Sequence, residues 1–432
     1  MAGKNDYTPR DEYGLKEEML LAAVKVRASD IHIDPLSDAL LIRFRVDGVL
    51  QTWMRTDISW HDPLVSQMKA LAELDIARRS MPQGGHFSWI PADHDRQERE
   101  FPRQERADSR EHTEEEKRDE KKEKLRILDI RLSIVPTVYG EAAVLRLLNR
   151  SDILLNLEDL GLDHEDLTTV KKLVTLSQGM VLVTGPTSSG KTTTIYSILS
   201  QLANANQTIF TLEDPVEYYL DMVRQSQIDP GNGYTYAVGI RTALRQDPDS
   251  IMVGEIRDIE TAENAFRTSL TGRLVLSTLH VSDSISTISR LIDMKVERGM
   301  VGYALKGVIN QRLVGKICEA CTSEYHPGEE VVRALAMDQG ERFLHGRGCK
   351  ECGNTGFRGR SGIFEVLPID ETLQRLIISG ESITKLKQEL ENRGFKTLRQ
   401  DGIRKVRQGI TTAEEVLKKT AAGLSIPSES PS

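Results

Sequence analysis

The chain has 432 residues, room for about two to four domains, with 39% apolar residues, 28% charged residues and a formal net charge of −8. That balance supplies packed cores and gives no overall basic field for general nucleic-acid binding. No apolar run approaches the roughly 20 residues of a membrane span, and MAGKNDYTPRDEYG lacks the apolar stretch of a secretory signal, so a cytoplasmic location is expected.

Residues 17–28 (EEMLLAAVKVRA) follow a helical pattern. ASDIHIDP and LLIRFRVDGVL (40–50) alternate with period 2, which predicts paired strands turning at Asp47-Gly48. A second helix is expected over 63–75, and two more strands over 125–149 with a turn at Tyr139-Gly140. Between them, 91–124 is nearly free of apolar residues and dense in both charge signs. Such a segment buries too little to offset its ordering entropy, so a mobile insertion between two strands is expected. These pieces make one α+β domain over 1–150.

From 151 to 310, short apolar runs alternate with helical patterns, which predicts an α/β domain with a parallel sheet. GMVLVTG (179–185) has the pattern of a buried strand and TTTIYSILSQL (192–202) that of a helix; between them GPTSSGKTTT fits G-x-x-x-x-G-K-[ST]. In such a loop Gly185, Pro186, Thr187, Ser188, Ser189 and Gly190 curl so that several backbone N–H groups among them, Pro186 having none, point at phosphate oxygens. Lys191 reaches the β/γ-phosphates, the Thr192 hydroxyl ligates Mg²⁺, and Thr193 completes the nucleotide-binding set at the helix N-terminus. ATP with Mg²⁺ is the expected ligand. SIMVGEIRD (250–258) ends an apolar strand in Glu255, suited to hold metal-bound water or orient an attacking one. TIFTLEDPVEY offers Glu213, Asp214 and Glu217 at the same sheet edge. LRQDPDS adds Arg245, Asp247 and Asp249, and STLH ends another strand in His280.

Two C-x-x-C pairs follow, Cys318/Cys321 and Cys349/Cys352, each within turn-forming residues. In a reducing compartment a disulfide is disfavoured, and paired turns in one short segment point to a tetrahedral zinc site rather than four separate thiols. The segment is bounded at 311–365. A C-terminal helical region (366–420) follows, then a Pro/Ser-rich tail (421–432) expected to fray.

GPTSSGKTTT, TLEDPVEY, LRQDPDSIMVGEIRD, TGRLVLSTLH and INQRLVGKICEAC together resemble the secretion superfamily of ATPases, the motors of type II secretion, type IV pilus assembly and competence pseudopili. The resemblance runs from about 11 to 420, excluding the charged insertion. It implies a RecA-like P-loop core, an N-terminal PAS-like domain and a ring-shaped homohexamer. It also implies action on an inner-membrane platform protein, with peripheral membrane association through partners. Glu255 would then be the hydrolytic carboxylate and Glu213 a contributor to Mg²⁺ or water. His280 would act near the γ-phosphate, and Arg43, Arg45 and Arg131 would close over the phosphates as arginine fingers do. The cysteines resemble those of extension motors rather than retraction motors.

Three departures stand out. Arg273 replaces the first histidine of the usual TGH, which removes any role needing a neutral imidazole and leaves room for a phosphate-facing cation there. Pro82-Gln83-Gly84-Gly85-His86 replaces the usual PQDGR. The chain also begins almost at the PAS-like domain, which suggests recruitment by the platform protein alone. The alternative is a helicase-like, nucleic-acid-dependent RecA-type ATPase. That reading calls for stacking aromatics in a basic groove, whereas aromatics are only 5% here.

Overall fold

The computed structural model describes residues 12–90, 128–149, 155–204 and 206–420. The expected insertion at 91–124 and tail at 421–432 lie outside the described residues. The chain divides into two compact units, Met1–Ile153 and Leu154–Ser432.

In the first unit, strands β1 (Ala28–Pro35), β2 (Ala39–Val46), β3 (Val49–Asp57), β4 (Gln83–Trp89), β5 (Leu128–Thr137) and β6 (Gly140–Asn149) form one sheet in the order β3-β2-β1-β6-β5-β4. Every pairing is antiparallel. The period-2 pattern puts Ile31, Ile33, Ile42, Phe44, Ile130, Leu132 and Leu145 on one face. They pack with Leu15, Met19 and Leu20 of the helix Glu12–Lys25 and with Leu64, Val65 and Met68 of the helix His61–Leu71. Asp47 and Gly48 take φ of 48° and 88°, the left-handed pair that suits a two-residue hairpin. The pattern did not reveal β4. Its glycine-rich start looks like a loop, yet a side chain at Gly85 would stand 2.7 Å from the Ala72 carbonyl, so only glycine lets this edge strand pass the helix end.

In the second unit, β7 (Gly179–Thr184), β8 (Ile209–Glu213), β9 (Val223–Gln227), β10 (Ser250–Val253), β11 (Leu274–Leu279), β12 (Leu305–Ile317) and β15 (Phe357–Pro368) form a mixed sheet, ordered β15-β12-β7-β11-β10-β8-β9. All pairs are parallel except β12 with β15. Strands β7, β10 and β11 are buried at every residue, as expected for parallel strands covered on both faces. The boundary expected at 310 falls inside β12, which pairs with β7 along its first half and continues beside β15 to residue 317. Beyond it, β13 (Thr322–Tyr325) and β14 (Phe343–Gly346) make a small two-stranded sheet. The C-terminal region holds four helices, Glu371–Ile378, Ile383–Asn392, Leu398–Arg407 and Ala413–Thr420; the first three are followed by Gly380, Gly394 and Gly409 at positive φ. Among the described residues, no helix is long and apolar enough to cross a membrane.

Parallel strands deliver their carboxyl ends to one edge. Residues 185, 213–214, 254–255 and 280 therefore gather there. Arg273 does not. It precedes the first residue of β11, and six extended residues put it about 20 Å from His280, at the opposite edge. A phosphate-facing role at 273 is thereby corrected. Asp249, just before β10, lies at that far edge too, accepting from the Thr208 amide at 2.7 Å.

One buried carboxylate fastens the elements behind this edge. Glu365 of β15, 6% exposed, accepts from the Ser284 amide at 2.9 Å, the Ser284 hydroxyl and the Leu398 amide at 3.2 Å. It thus caps the helix that follows His280 and the helix Leu398–Arg407 together. Glu365→Leu strands three buried donors and should cost about 3 kcal/mol in urea unfolding, while Glu365→Gln, which keeps an acceptor, should cost less than half of that.

Candidate phosphate-binding edge and tetracysteine cluster

The loop from Gly185 to Gly190 joins β7 to the helix Lys191–Leu202. Pro186, Thr187, Ser188 and Thr192 are exposed, Thr193 is half-buried, and Gly185, Ser189 and Lys191 are buried. Lys191 folds across the loop. Its Nζ donates to the carbonyls of Gly185 at 3.0 Å and Pro186 at 2.9 Å. Burial pushes its ammonium down to about 8 against the pull of Glu255, with Arg312 adding to the push.

Next to it lies His280, with Nδ1 3.5 Å from Lys191 Nζ and Nε2 3.5 Å from Glu255 Oε2. Burial first, then Lys191 and Arg257, lower the imidazole below its ordinary range against Glu255. The neutral ring can then present a lone pair to the ammonium and an N–H to the carboxylate. Glu255 also pairs with Arg257, whose other nitrogen lies 3.8 Å from Asp214 Oδ2. The turn carrying Glu255 is braced from β11, where the Thr278 hydroxyl donates to the Gly254 carbonyl at 2.7 Å. An open cleft of about 680 Å³ lies beside Pro186, Thr187 and His280, bounded further along by Ser286, Arg290 and Asp293.

The structure thus brings together Lys191, His280 and Glu255. It turns Glu213 away. That side chain is 3% exposed, and its oxygens accept from the Tyr196 hydroxyl, the Thr211 hydroxyl at 2.5 Å and Gln225 Nε2 at 3.1 Å. Asp214, beside it, is the exposed carboxylate at this edge. Glu213 alternates inward because β8 extends through it, which places successive side chains on opposite faces. Sequence reasoning gave no role to Arg257 and Tyr196. Asn310-Gln311-Arg312 is a polar run inside an apolar strand, and that was the available signal, since buried polar groups need partners.

In the first unit, taken by itself, cross-strand pairing aligns His86, Arg131, Arg146, Asp30 and Arg45 in one row over five strands, on the sheet face away from the core. Arg146 Nε donates to Asp30 at 3.1 Å, Arg45 lies 3.6 Å from the same carboxylate, and Arg43 Nη2 donates to Asp34 at 2.8 Å. Arg146 was not anticipated; its place in the row follows from register alone.

The four cysteines converge, all four Sγ atoms lying within 4.8 Å of one another. Separations of 3.8 Å (Cys318–Cys349), 3.9 Å (Cys321–Cys352) and 3.7 Å (Cys349–Cys352) match the edge of a tetrahedron with metal–sulfur bonds of about 2.3 Å. None is in a disulfide. Burial pushes the Cys321 thiol up to about 12 and Cys318 upward too; it opposes Cys352 as well, but the Cys349 and Gly356 amides hold that thiol down at about 6. A side chain at Gly346 would stand 2.0 Å from the Gly356 carbonyl, so the cluster closes only with two glycines back to back. The donor set fits zinc, which would supply the charge that gathers four thiolates.

The family model described as type II/IV secretion system protein matches residues 12–97 and 106–418, and the chain belongs to that family. Type II secretion system protein E of Dickeya dadantii is 40% identical over 402 residues, covering 93% of this chain and 74% of that protein. The type IV pilus assembly ATPase PilB of Thermus thermophilus is 40% identical over 397 residues, covering 91% of this chain and 41% of its own length. Among solved structures, the pilus retraction motor PilT with bound ADP aligns with a TM-score of 0.58 at 25% identity, over 94% of this chain and 97% of that one. The Legionella pneumophila ATPase DotB shares the fold with a TM-score of 0.65 at 20% identity, each chain covered to 96%.

Metal analysis of the purified chain should find about one zinc per molecule, falling below about a tenth in Cys321→Ser, with protons released when zinc is returned to the metal-free protein.

Proposed function

We propose that this member of the type II/IV secretion family is an ATP-hydrolysing motor that drives assembly of a type IV pilus, a competence pseudopilus or a type II secretion pseudopilus. The observation that carries the reading is the convergence at one sheet edge of Lys191, held by loop carbonyls at 2.9 and 3.0 Å, with His280 and Glu255 aligned behind it at 3.5 Å. In this reading 1–150 is a PAS-like domain and 151–310 a RecA-like P-loop core, followed by the zinc segment (311–365) and the helical region (366–420).

Backbone N–H groups of residues 187–193 and the Lys191 ammonium bind and orient the phosphates of ATP, with Gly185 and Pro186 shaping the entry to the loop. The Thr192 hydroxyl and Glu255 would hold Mg²⁺, which when bound would offset phosphate charge. Glu255 orients the attacking water, and neutral His280 donates or accepts at the γ-phosphate without adding charge. Arg257, paired with Glu255 and 3.8 Å from Asp214, must yield when the phosphates arrive. Glu213 serves this edge by anchoring Tyr196 and β8 rather than by touching metal. Arg43, Arg45 and Arg131 are the arginine-finger candidates, and the chain works as a homohexamer on an inner-membrane platform protein from the cytoplasmic side. No nucleic acid takes part. The four cysteines favour assembly over retraction.

Glu255→Gln keeps the shape of the site and removes the carboxylate. Its turnover should fall at least about a hundredfold with ADP affinity within about twofold of the parent. Unchanged turnover, measured as phosphate release, would remove Glu255 from the mechanism.

A further inference from the structure

Strand β12 is apolar on both sides of Asn310-Gln311-Arg312, and the first two of these are buried completely or nearly so, at 0% and 1% exposure. Gln311 has exact partners. Its Nε2 donates to the Ser189 carbonyl at 2.7 Å, and its Oε1 accepts from the Thr194 hydroxyl at 2.7 Å. Chemistry fixes the orientation of this carboxamide, because a carbonyl can only accept. One side chain thus ties the phosphate loop to the first turn of the following helix, on either side of Lys191.

The bond to Ser189 has a consequence for the next residue. In a trans peptide the C=O and the following N–H point in opposite directions. With the Ser189 carbonyl turned to Gln311, the Gly190 N–H points away from β12. Gly190 sits at φ +90°, and a side chain there would stand 2.8 Å from Gln311 Nε2. The peptide is therefore held from one side and cannot carry a side chain that would turn it.

Resting on the nucleotide-binding reading above, we propose that Gln311 is a positioning residue for phosphate binding: by holding the Ser189 carbonyl, it aims the Gly190 N–H at the phosphate and keeps the loop formed before nucleotide arrives. Thr194 orients the carboxamide. Gln311 touches no substrate itself. The neighbours extend the brace: Asn310 Nδ2 donates to Thr184 Oγ1 at 2.8 Å, and Arg312 donates to the Ser282 carbonyl at 2.6 Å, so both lips of the edge lean on one strand.

The test is the ADP dissociation constant of the full chain, measured by titration for the parent, Gln311→Met, Gln311→Glu and Thr194→Val, beside the melting temperature without nucleotide. Gln311→Met, of similar length but unable to donate, should bind ADP about tenfold more weakly. Gln311→Glu, whose carboxylate opposes both the Ser189 carbonyl and the incoming phosphate, should bind about a hundredfold more weakly. Thr194→Val should cost about threefold alone and add nothing to Gln311→Met, because both act through one contact. The Met variant should lose affinity without a matching loss in melting temperature. A filler role predicts instead that affinity tracks melting temperature. That outcome, or parental affinity in Gln311→Met, overturns the proposal. Should both Gln311 variants fail to fold, parental affinity in Thr194→Val overturns it. If the parent binds no ADP at all, the nucleotide reading falls first and this inference with it.

Discussion

A buried ammonium without a bonded carboxylate is the constraint around which the second unit is arranged. Lys191 lies across its own loop, satisfied by the Gly185 and Pro186 carbonyls and facing the Nδ1 side of a neutral histidine. Carbonyl dipoles solvate the charge in part, and burial still pushes its proton affinity down to about 8. Glu255 pulls the other way from behind His280, already engaged by Arg257. The edge is therefore short of negative charge at one point, the mouth of the loop that follows β7. Everything nearby follows from delivering strand ends to that point: β7 brings the loop, β10 brings Glu255 and β11 brings His280, because parallel strands share a direction.

Rigidity comes from the elements behind the edge. Strand β12 runs thirteen residues, from its pairing with β7 to the position before Cys318, so one element spans the distance from the phosphate loop to the cysteine cluster. Its partner β15 contributes Glu365, whose carboxylate joins the helix after His280 to the C-terminal helices. Asp401 reinforces the second joint by accepting from the Phe364 amide at 2.9 Å. Lys405 does likewise, donating to the Gly161 carbonyl at 2.6 Å and the Ser361 hydroxyl at 3.0 Å. Buried polar groups of this kind hold one arrangement because every alternative leaves a donor or acceptor unpaired.

What could be read in the sequence was what depends on residue type at fixed spacing. The phosphate loop was legible because glycine spacing and a following lysine encode backbone geometry directly, and the cysteines because paired turns restrict where sulfur can go. Glu255 and His280 were legible as residues ending apolar runs. The rest depended on direction and register. Arg273 resembled a phosphate contact until the strand between it and His280 placed the two at opposite edges. Glu213 follows the same apolar run as Asp214, and strand alternation sends one inward and the other out. Arg146 joined the arginine row only through its pairing with Asp30 and Arg131 across the sheet. Gln311 carried a weak signal, an amide within an apolar strand, and acquires meaning from the carbonyl it meets. Strand β4 was hidden by its glycines, whose purpose is a close passage invisible in one dimension.

Burial should leave Lys191 partly deprotonated in alkaline solution, and an anion bound at the loop should restore its proton. Calorimetry of ADP binding in buffers of differing ionisation enthalpy at pH 9, where imidazole and phosphate are fully deprotonated, isolates this group. With an empty-site value of about 8 that the bound phosphates raise, binding should take up a large fraction of a proton at pH 9 and much less at pH 7. Tight ADP binding at pH 9 with no proton uptake would contradict the account.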